Sequence, residues 1–162
     1  MKIVINNGTT FLVSDEKGNM LDDPEFGLYY RDMRYLRKFN MTINGKELHL
    51  LTSRNVNYFS AAYFLSNPEL DGLKANALSI VRKRTVGEGM QETVEVRNHT
   101  TEDVDFQLAF DIKVDFADLF EIREYMESKK GDFKKETKKN SITFSYSKEN
   151  YKRQTLINFD CK

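Results

Sequence analysis

VDFQLAFDIKVDFADLFEIR, residues 104–123, is the stretch that decides the fold class of this chain. From position 104 to position 116 every second residue is apolar: Val104, Phe106, Leu108, Phe110, Ile112, Val114 and Phe116. Most positions between them are polar or charged, and this period of two is typical of a β-strand with one buried face. We therefore predict a long two-faced strand that leads into an irregular, carboxylate-rich segment, residues 116–123.

Strand patterns also fill the rest of the chain. Asn44-Gly45 separates two apolar runs and supplies the two positive-φ residues that a type I′ hairpin turn needs. Residues 77–86 and 90–96 form a second predicted hairpin around Gly87-Glu88-Gly89, and residues 28–39 carry large side chains on both alternating sets. The patterns give about ten strands and no long amphipathic helix. We predict an all-β fold, an antiparallel, supersandwich-like β-sandwich with little helix.

Composition limits the partners that such a domain can have. The 162 residues fit one domain, residues 1–162, and Lys plus Arg balance Asp plus Glu at 25 each. No overall field attracts nucleic acid or an anionic membrane, and the lysine-rich residues 124–139 are predicted to form a solvated loop. No window is apolar enough for a signal peptide or a membrane span, which predicts a cytoplasmic protein.

Catalytic chemistry has few candidates in this sequence. The single cysteine, Cys161, excludes an intrachain disulfide and a cysteine-rich metal site, and no phosphate loop or nucleophile elbow is present. We expect no cofactor and no metal. His49 and His99 lie in a hairpin strand and a polar turn, where structural or solvated roles are the simpler interpretation.

Carboxylates remain as the candidate catalytic groups. Four of them lie within eleven residues: Asp111, Asp115, Asp118 and Glu121. Glycoside hydrolysis needs two acids about 5–9.5 Å apart. The alternative is structural: the first two acids face solvent, and the last two pair with Arg123 or Arg31. We favour the structural interpretation for all four, and ion pairing across neighbouring strands for Arg31, Asp32 and Arg34.

Two segments resemble a known family. They are GLYYRDMRYL, residues 27–36, and DFADLFEIR, residues 115–123, with support from TFLVSD at 10–15 and from Asn44-Gly45 followed by LLTS at 50–53. Together they resemble the N-terminal domain of bacterial glycogen-debranching enzymes of the amylo-α-1,6-glucosidase type. The resemblance spans nearly the whole chain.

This resemblance implies a β-sandwich that precedes an (α/α)6 helical domain, which carries the catalytic acids for α-1,6-glucosidic branches. The chain would then be a non-catalytic module of a longer glycoside hydrolase, with that helical domain as its partner and an α-glucan as a further possible ligand. A self-standing carbohydrate-binding or protein-interaction sandwich is the alternative. A third possibility is that the isolated chain itself hydrolyses glucosides through Asp118 and Glu121. Eight residues are the candidates for substrate or interdomain contact: Tyr30, Arg31, Asp32, Arg34, Asp115, Asp118, Glu121 and Arg123.

Overall fold

The computed structural model of the protein describes residues 1–122 and 131–160, and within them nearly all regular structure is β. The elements, in chain order, are β1 (Lys2–Asn7), β2 (Thr10–Asp15), β3 (Gly27–Tyr30), β4 (Met33–Leu36), β5 (Lys38–Ile43), β6 (Lys46–Glu47), β7 (His49–Asn57), β8 (Ser60–Ser66), β9 (Leu78–Val86), β10 (Met90–Asn98), β11 (Leu108–Lys113), α1 (Leu119–Ile122), β12 (Asp132–Lys138), β13 (Ser141–Lys148) and β14 (Tyr151–Asn158). The predicted all-β fold with little helix is confirmed, although the strands outnumber the ten expected from the sequence patterns.

The strands form four antiparallel sheets. The N-terminal sheet has the order β1-β2-β3-β4, the central sheet β10-β9-β8-β7, the small sheet β11-β5-β6 and the C-terminal sheet β12-β13-β14. No helix in the described residues is long and apolar enough to cross a membrane.

The N-terminal and central sheets enclose the main core. Strands β1 and β2 alternate buried and more exposed residues, and their buried side chains meet those of β8 and β9. Across the interface the hydroxyls of Ser14 and Tyr63, both fully buried, lie 2.8 Å apart. At one side of the sandwich β1 adjoins the end of β7, and the Asn6 amide donates to the carbonyl of Tyr58, in the turn after β7, at 2.7 Å. A buried polar pair between the layers satisfies its own hydrogen bonds and fixes how the sheets face each other.

Strand β11 is shorter than the alternating pattern predicted. Its partner β5 ends at Ile43, where the Asn44-Gly45 turn begins, so residues 104–107 have no strand to pair with. The turn itself is confirmed, because Asn44 and Gly45 have φ angles of 47° and 75° and join β5 to β6. The apolar set of β11 is half-buried and the other set exposed, as the period of two predicted.

Two further predictions are corrected by the structure. Residues 28–39 are not one strand: the chain reverses at Arg31-Asp32, so that β3 and β4 form a hairpin and β5 begins separately. The lysine-rich segment is not all loop, because residues 132–138 form β12, although every residue of that strand is exposed. Residues 124–130 of that segment lie outside the described part of the chain.

Candidate functional site

Pairing of β11 with β5 brings the two halves of the candidate site together. Beyond the end of this ladder the Arg37 amide donates to the Lys113 carbonyl, and the Arg34 amide donates to the Ala117 carbonyl at 2.9 Å. The irregular segment after β11 therefore runs alongside β4. This places Asp115 beside Arg34, although 81 positions separate them in the sequence.

Arg34 and Asp115 form a bidentate ion pair. Nε of Arg34 lies 3.2 and 3.1 Å from the two carboxylate oxygens of Asp115, and Nη2 lies 2.5 Å from Oδ2. The side chains are 6% and 19% exposed. Burial lowers the pKa of Arg34, but hydrogen bonding and the charge of Asp115 outweigh it, so the pKa is raised. The Asp115 carboxylate thus has a structural partner. The structural interpretation had assumed that this carboxylate faces solvent, and the structure corrects that detail.

Gly27 makes room for this ion pair. Its φ is +149°, and an added Cβ would lie 2.7 Å from both Cδ of Arg34 and the carbonyl oxygen of Leu36. A side chain at position 27 would collide with Arg34 and Leu36, and an L-residue rarely adopts this φ angle. Glycine is therefore required where β3 approaches Arg34.

Asp118 and Glu121 cap α1. One carboxylate oxygen of Asp118 accepts hydrogen bonds from the amides of Phe120 and Glu121, each at 2.9 Å, and Glu121 Oε2 accepts one from the Asp118 amide at 2.8 Å. This reciprocal arrangement is a capping box. Both side chains make a further contact, so neither carboxylate is free. The predicted pairing with Arg31 is absent among the ion pairs of residues 1–122 and 131–160.

The turn between β3 and β4 lies against α1. Its Asp32 carbonyl accepts a hydrogen bond from the Leu119 amide at 3.1 Å. Arg31 and Asp32 have φ angles of 47° and 62°, close to those of Asn44 and Gly45. The chain thus builds two similar turns, one from Asn-Gly, which suits positive φ at both positions, and one in which Arg31 does not.

Replacing Asp32 with Gly should stabilise the protein. Glycine removes the penalty for positive φ, which is about 1 kcal/mol per L-residue, and the described structure shows no hydrogen bond of the Asp32 carboxylate that would be lost. Urea unfolding measures the change. Gly45→Asp is the converse control and should destabilise by a similar amount. A loss of stability in Asp32→Gly would show that the carboxylate makes a contribution larger than the strain.

The structure brings seven of the eight predicted site residues to one corner of the molecule. Arg34 and Asp115 are its buried ion pair, Asp118 and Glu121 cap its helix, and the other three lie on the exposed or half-exposed turn: Tyr30, Arg31 and Asp32. The eighth, Arg123, lies outside the described residues. Phe120 in α1 is 62% exposed beside this turn, so the corner also presents an apolar ring to solvent.

Two of the predicted residues, Tyr30 and Arg31, lie beside three that were missed in the sequence: Tyr35, Tyr151 and Arg153. The Arg31 guanidinium lies over the Tyr30 ring at 5.2 Å, and the Arg153 guanidinium lies over the Tyr151 ring at 4.1 Å. Tyr35 lies between the two stacks: its ring meets Tyr30 edge-on at 6.2 Å. The Tyr151 hydroxyl donates to Sδ of Met33 on β4 at 3.3 Å, which brings the second stack next to the first. Burial raises the pKa of Tyr35. The five residues are Tyr30, Arg31, Tyr35, Tyr151 and Arg153. We call these five residues the tyrosine–arginine patch.

A buried ionic cluster lies elsewhere, in the main core. Arg82 and Arg84 are fully buried and share the carboxylate of Glu92: Arg82 Nη2 lies 2.9 Å from Oε1, and Arg84 Nε lies 2.6 Å from Oε2. Both guanidiniums also lie over the rings of Phe39 and Tyr63, at 5.4–6.0 Å. Burial lowers the pKa of Arg82.

The two arginines of this cluster also tie the central sheet to the loop after β2. Nη1 of Arg82 donates to the Lys17 carbonyl at 2.9 Å, and Nη2 of Arg84 donates to the Gly18 carbonyl at 2.7 Å. The sequence did carry a signal: Leu78, Ile80 and Val86 occupy the buried set of β9, and both arginines fall on the same set.

These contacts decide what the acids at the corner can do. A general acid or nucleophile needs a carboxylate that can reach a substrate, whereas Asp115, Asp118 and Glu121 each bind groups of the protein itself. No group of three or more His, Cys, Asp or Glu in the described residues could hold a metal ion.

Fold and site together define an antiparallel all-β domain in which Asp115, Asp118 and Glu121 hold the backbone of the corner. The comparison with protein families then specifies which one. The model for the N-terminal domain of some glycogen debranching enzymes matches residues 5–162, and the chain belongs to this family. This confirms the resemblance drawn from the segments 27–36 and 115–123. Neither the curated proteins nor the solved structures gave a match.

Proposed function

We propose that this chain is the non-catalytic N-terminal β-sandwich of a debranching-type glycoside hydrolase that acts on α-1,6-glucosidic branches. In this proposal residues 1–162 are one domain, and a helical (α/α)6 domain of the same parent enzyme carries the catalytic acids. The sandwich supports that domain and lines one rim of its α-glucan cleft.

One observation carries the non-catalytic role. Of the four acids that the structure describes at the exposed corner, Asp115, Asp118 and Glu121 are engaged in an ion pair and a capping box. Only Asp32 remains, whereas glycoside hydrolysis needs a pair of acids. A carboxylate whose oxygens already accept hydrogen bonds from an arginine or from backbone amides is held in place by the protein and is poorly available to a substrate. Family membership supports the rest, because the family is defined by its place in debranching enzymes.

The corner is also suited to contact another domain. The Arg31-Asp32 turn and α1 hold each other through the Leu119–Asp32 hydrogen bond, so their exposed side chains have a fixed arrangement. Interfaces favour such pre-arranged aromatic and arginine side chains, because little side-chain entropy is lost on binding. Tyr30, Arg31 and Phe120 are the groups available there.

The isolated chain should release no glucose from an α-1,6-branched maltooligosaccharide, whereas the parent enzyme should release it. Glucose is measured under identical conditions for both. Asp118→Asn is the matched variant, since Asn caps a helix as well as Asp and the fold is retained. Glucose release by the isolated chain that Asp118→Asn abolishes would contradict the non-catalytic role.

The gene sequence that follows Lys162 provides the second test. We expect several hundred helix-rich residues with paired acids. A stop codon at that point would contradict the module and leave a self-standing carbohydrate-binding or protein-interaction sandwich as the function to test.

A further inference from the structure

We propose that the tyrosine–arginine patch is a docking site for carboxylates on an acidic protein surface, supplied by the helical domain of the parent enzyme. The proposal rests on the proposed function and adds to it the chemistry of the contact. Its five residues come from the N-terminal sheet, its β3–β4 turn and the C-terminal sheet: Tyr30, Arg31, Tyr35, Tyr151 and Arg153.

Unpaired positive charge is the first observation behind it. Buried arginines in this chain have carboxylate partners: Arg34 has Asp115, and the pair on β9 has Glu92. Arg31 and Arg153 have none within ion-pair distance in residues 1–122 and 131–160. Two guanidiniums that share one surface without a counter-ion attract an anionic partner.

Pre-arrangement is the second observation. Each guanidinium is stacked on a tyrosine ring, at 5.2 and 4.1 Å, which restricts its motion. Nη1 of Arg153 also donates to the Lys152 carbonyl at 2.8 Å, and the other N–H groups of the two guanidiniums remain for a carboxylate. Arginines held in this way lose little entropy on binding and can form bidentate hydrogen bonds. The sheets below hold the two stacks in place, since Thr155 Oγ1 donates to the Tyr35 carbonyl at 2.9 Å.

Backbone strain is the third observation. The β3–β4 turn places Arg31 and Asp32 at positive φ, although the β5–β6 turn shows that Asn-Gly makes a similar turn in this chain. Strain of this kind is found where a side chain has a function at that position. Here the strained turn holds the Arg31 guanidinium on the Tyr30 ring.

A protein carboxylate fits this patch better than a sugar does. Sugars bind tyrosine by stacking on an open ring face, but Arg31 and Arg153 already lie over the rings of Tyr30 and Tyr151. Tyrosine and arginine together are also the residues enriched at the energetic centres of protein interfaces. The patch thus presents donors for carboxylates on an aromatic base.

The test measures association between this chain and the separately produced downstream segment of its parent enzyme by titration calorimetry. Arg31→Ala and Arg153→Ala should each weaken binding about tenfold, which is the effect of a residue at an interface centre. Raising NaCl from about 0.05 to about 0.5 M should weaken binding of the unmodified chain more than binding of either variant. Each variant has lost one ionic contact, so salt has less to screen in it. Arg54→Ala is the matched control: Arg54 is exposed on β7, an edge strand of the central sheet that contributes nothing to the patch, and binding should not change.

Unchanged binding in both patch variants would overturn the proposal. Binding of maltoheptaose to the isolated chain that Arg31→Ala abolishes would also overturn it, in favour of a sugar site. If the downstream segment does not fold alone, hydrogen exchange of the parent enzyme decides: amides around Arg31 and Arg153 should exchange more slowly than in the isolated chain. Equal exchange rates would contradict docking. The proposed function is tested separately by the glucose assay: it fails if the parent enzyme releases no glucose from the branched substrate, whatever the binding measurements show.

Discussion

Glu92→Gln should lower the free energy of unfolding by about 3–5 kcal/mol, the usual cost of removing one partner from a buried ion pair. The two guanidiniums that share this carboxylate have no exposed surface, and the Glu92 side chain is 6% exposed. The cluster already carries one excess positive charge, and Nη1 of Arg84 has no hydrogen-bond partner. Loss of the carboxylate leaves two cations in the core without a counter-ion.

Urea unfolding followed by circular dichroism measures this change. Glu95→Gln is the matched control on the same strand: Glu95 pairs with Lys83, but both side chains are more than half exposed. An exposed pair is worth about 0–1 kcal/mol, so the control should unfold almost as the unmodified chain does. Similar losses in the two variants would show that the cluster is not what holds β10 to the core.

Asp115→Asn should cost about 3 kcal/mol, since Arg34 stays buried and loses its counter-ion. Asparagine has nearly the same shape as aspartate and keeps one acceptor oxygen. The loss of unfolding free energy therefore measures the contribution of the negative charge and of the second hydrogen bond. The change should also loosen residues 116–122, because the Arg34 backbone holds the Ala117 carbonyl in the same place. Hydrogen exchange of these amides, measured together with urea unfolding, checks both effects.

Asp111→Asn provides the comparison for that prediction. Asp111 lies four positions earlier and pairs with Lys38, but its side chain is 56% exposed. Its replacement should change stability by less than about 1 kcal/mol. A larger loss at position 111 than at position 115 would refute the importance of the buried pair.

The sequence predicted those parts of the fold that local chemistry determines. Asn44-Gly45 identified its hairpin, because few other residue pairs accept two successive positive φ angles. The turn at Arg31-Asp32 was missed because arginine does not indicate a turn with two positive φ angles, although aspartate accepts one. Here the surroundings impose the conformation, through contacts such as the bond from Leu119 to the Asp32 carbonyl.

Side-chain partners were harder to predict than strands. Segments 27–36 and 115–123 were recognised as belonging together through the family resemblance, but nothing local shows that Arg34 selects Asp115 over Asp111 or Asp118. That choice depends on the register of β5 with β11. The buried arginines of β9 were overlooked because charged residues are rarely buried, although their position in the strand pattern indicated it.

The order of strand pairing has a consequence for folding kinetics. Among the described strands every pairing but one joins neighbours in the chain, and hairpins of this kind form within microseconds. Pairing of β5 with β11 must close the loop of residues 44–107. The chain loses the entropy of this loop before the contacts between the two strands compensate for it. We therefore expect the hairpins to form first and the Arg34–Asp115 corner after them. A ribosome-bound chain would complete its docking surface later still, because Tyr151 and Arg153 of the tyrosine–arginine patch lie on β14.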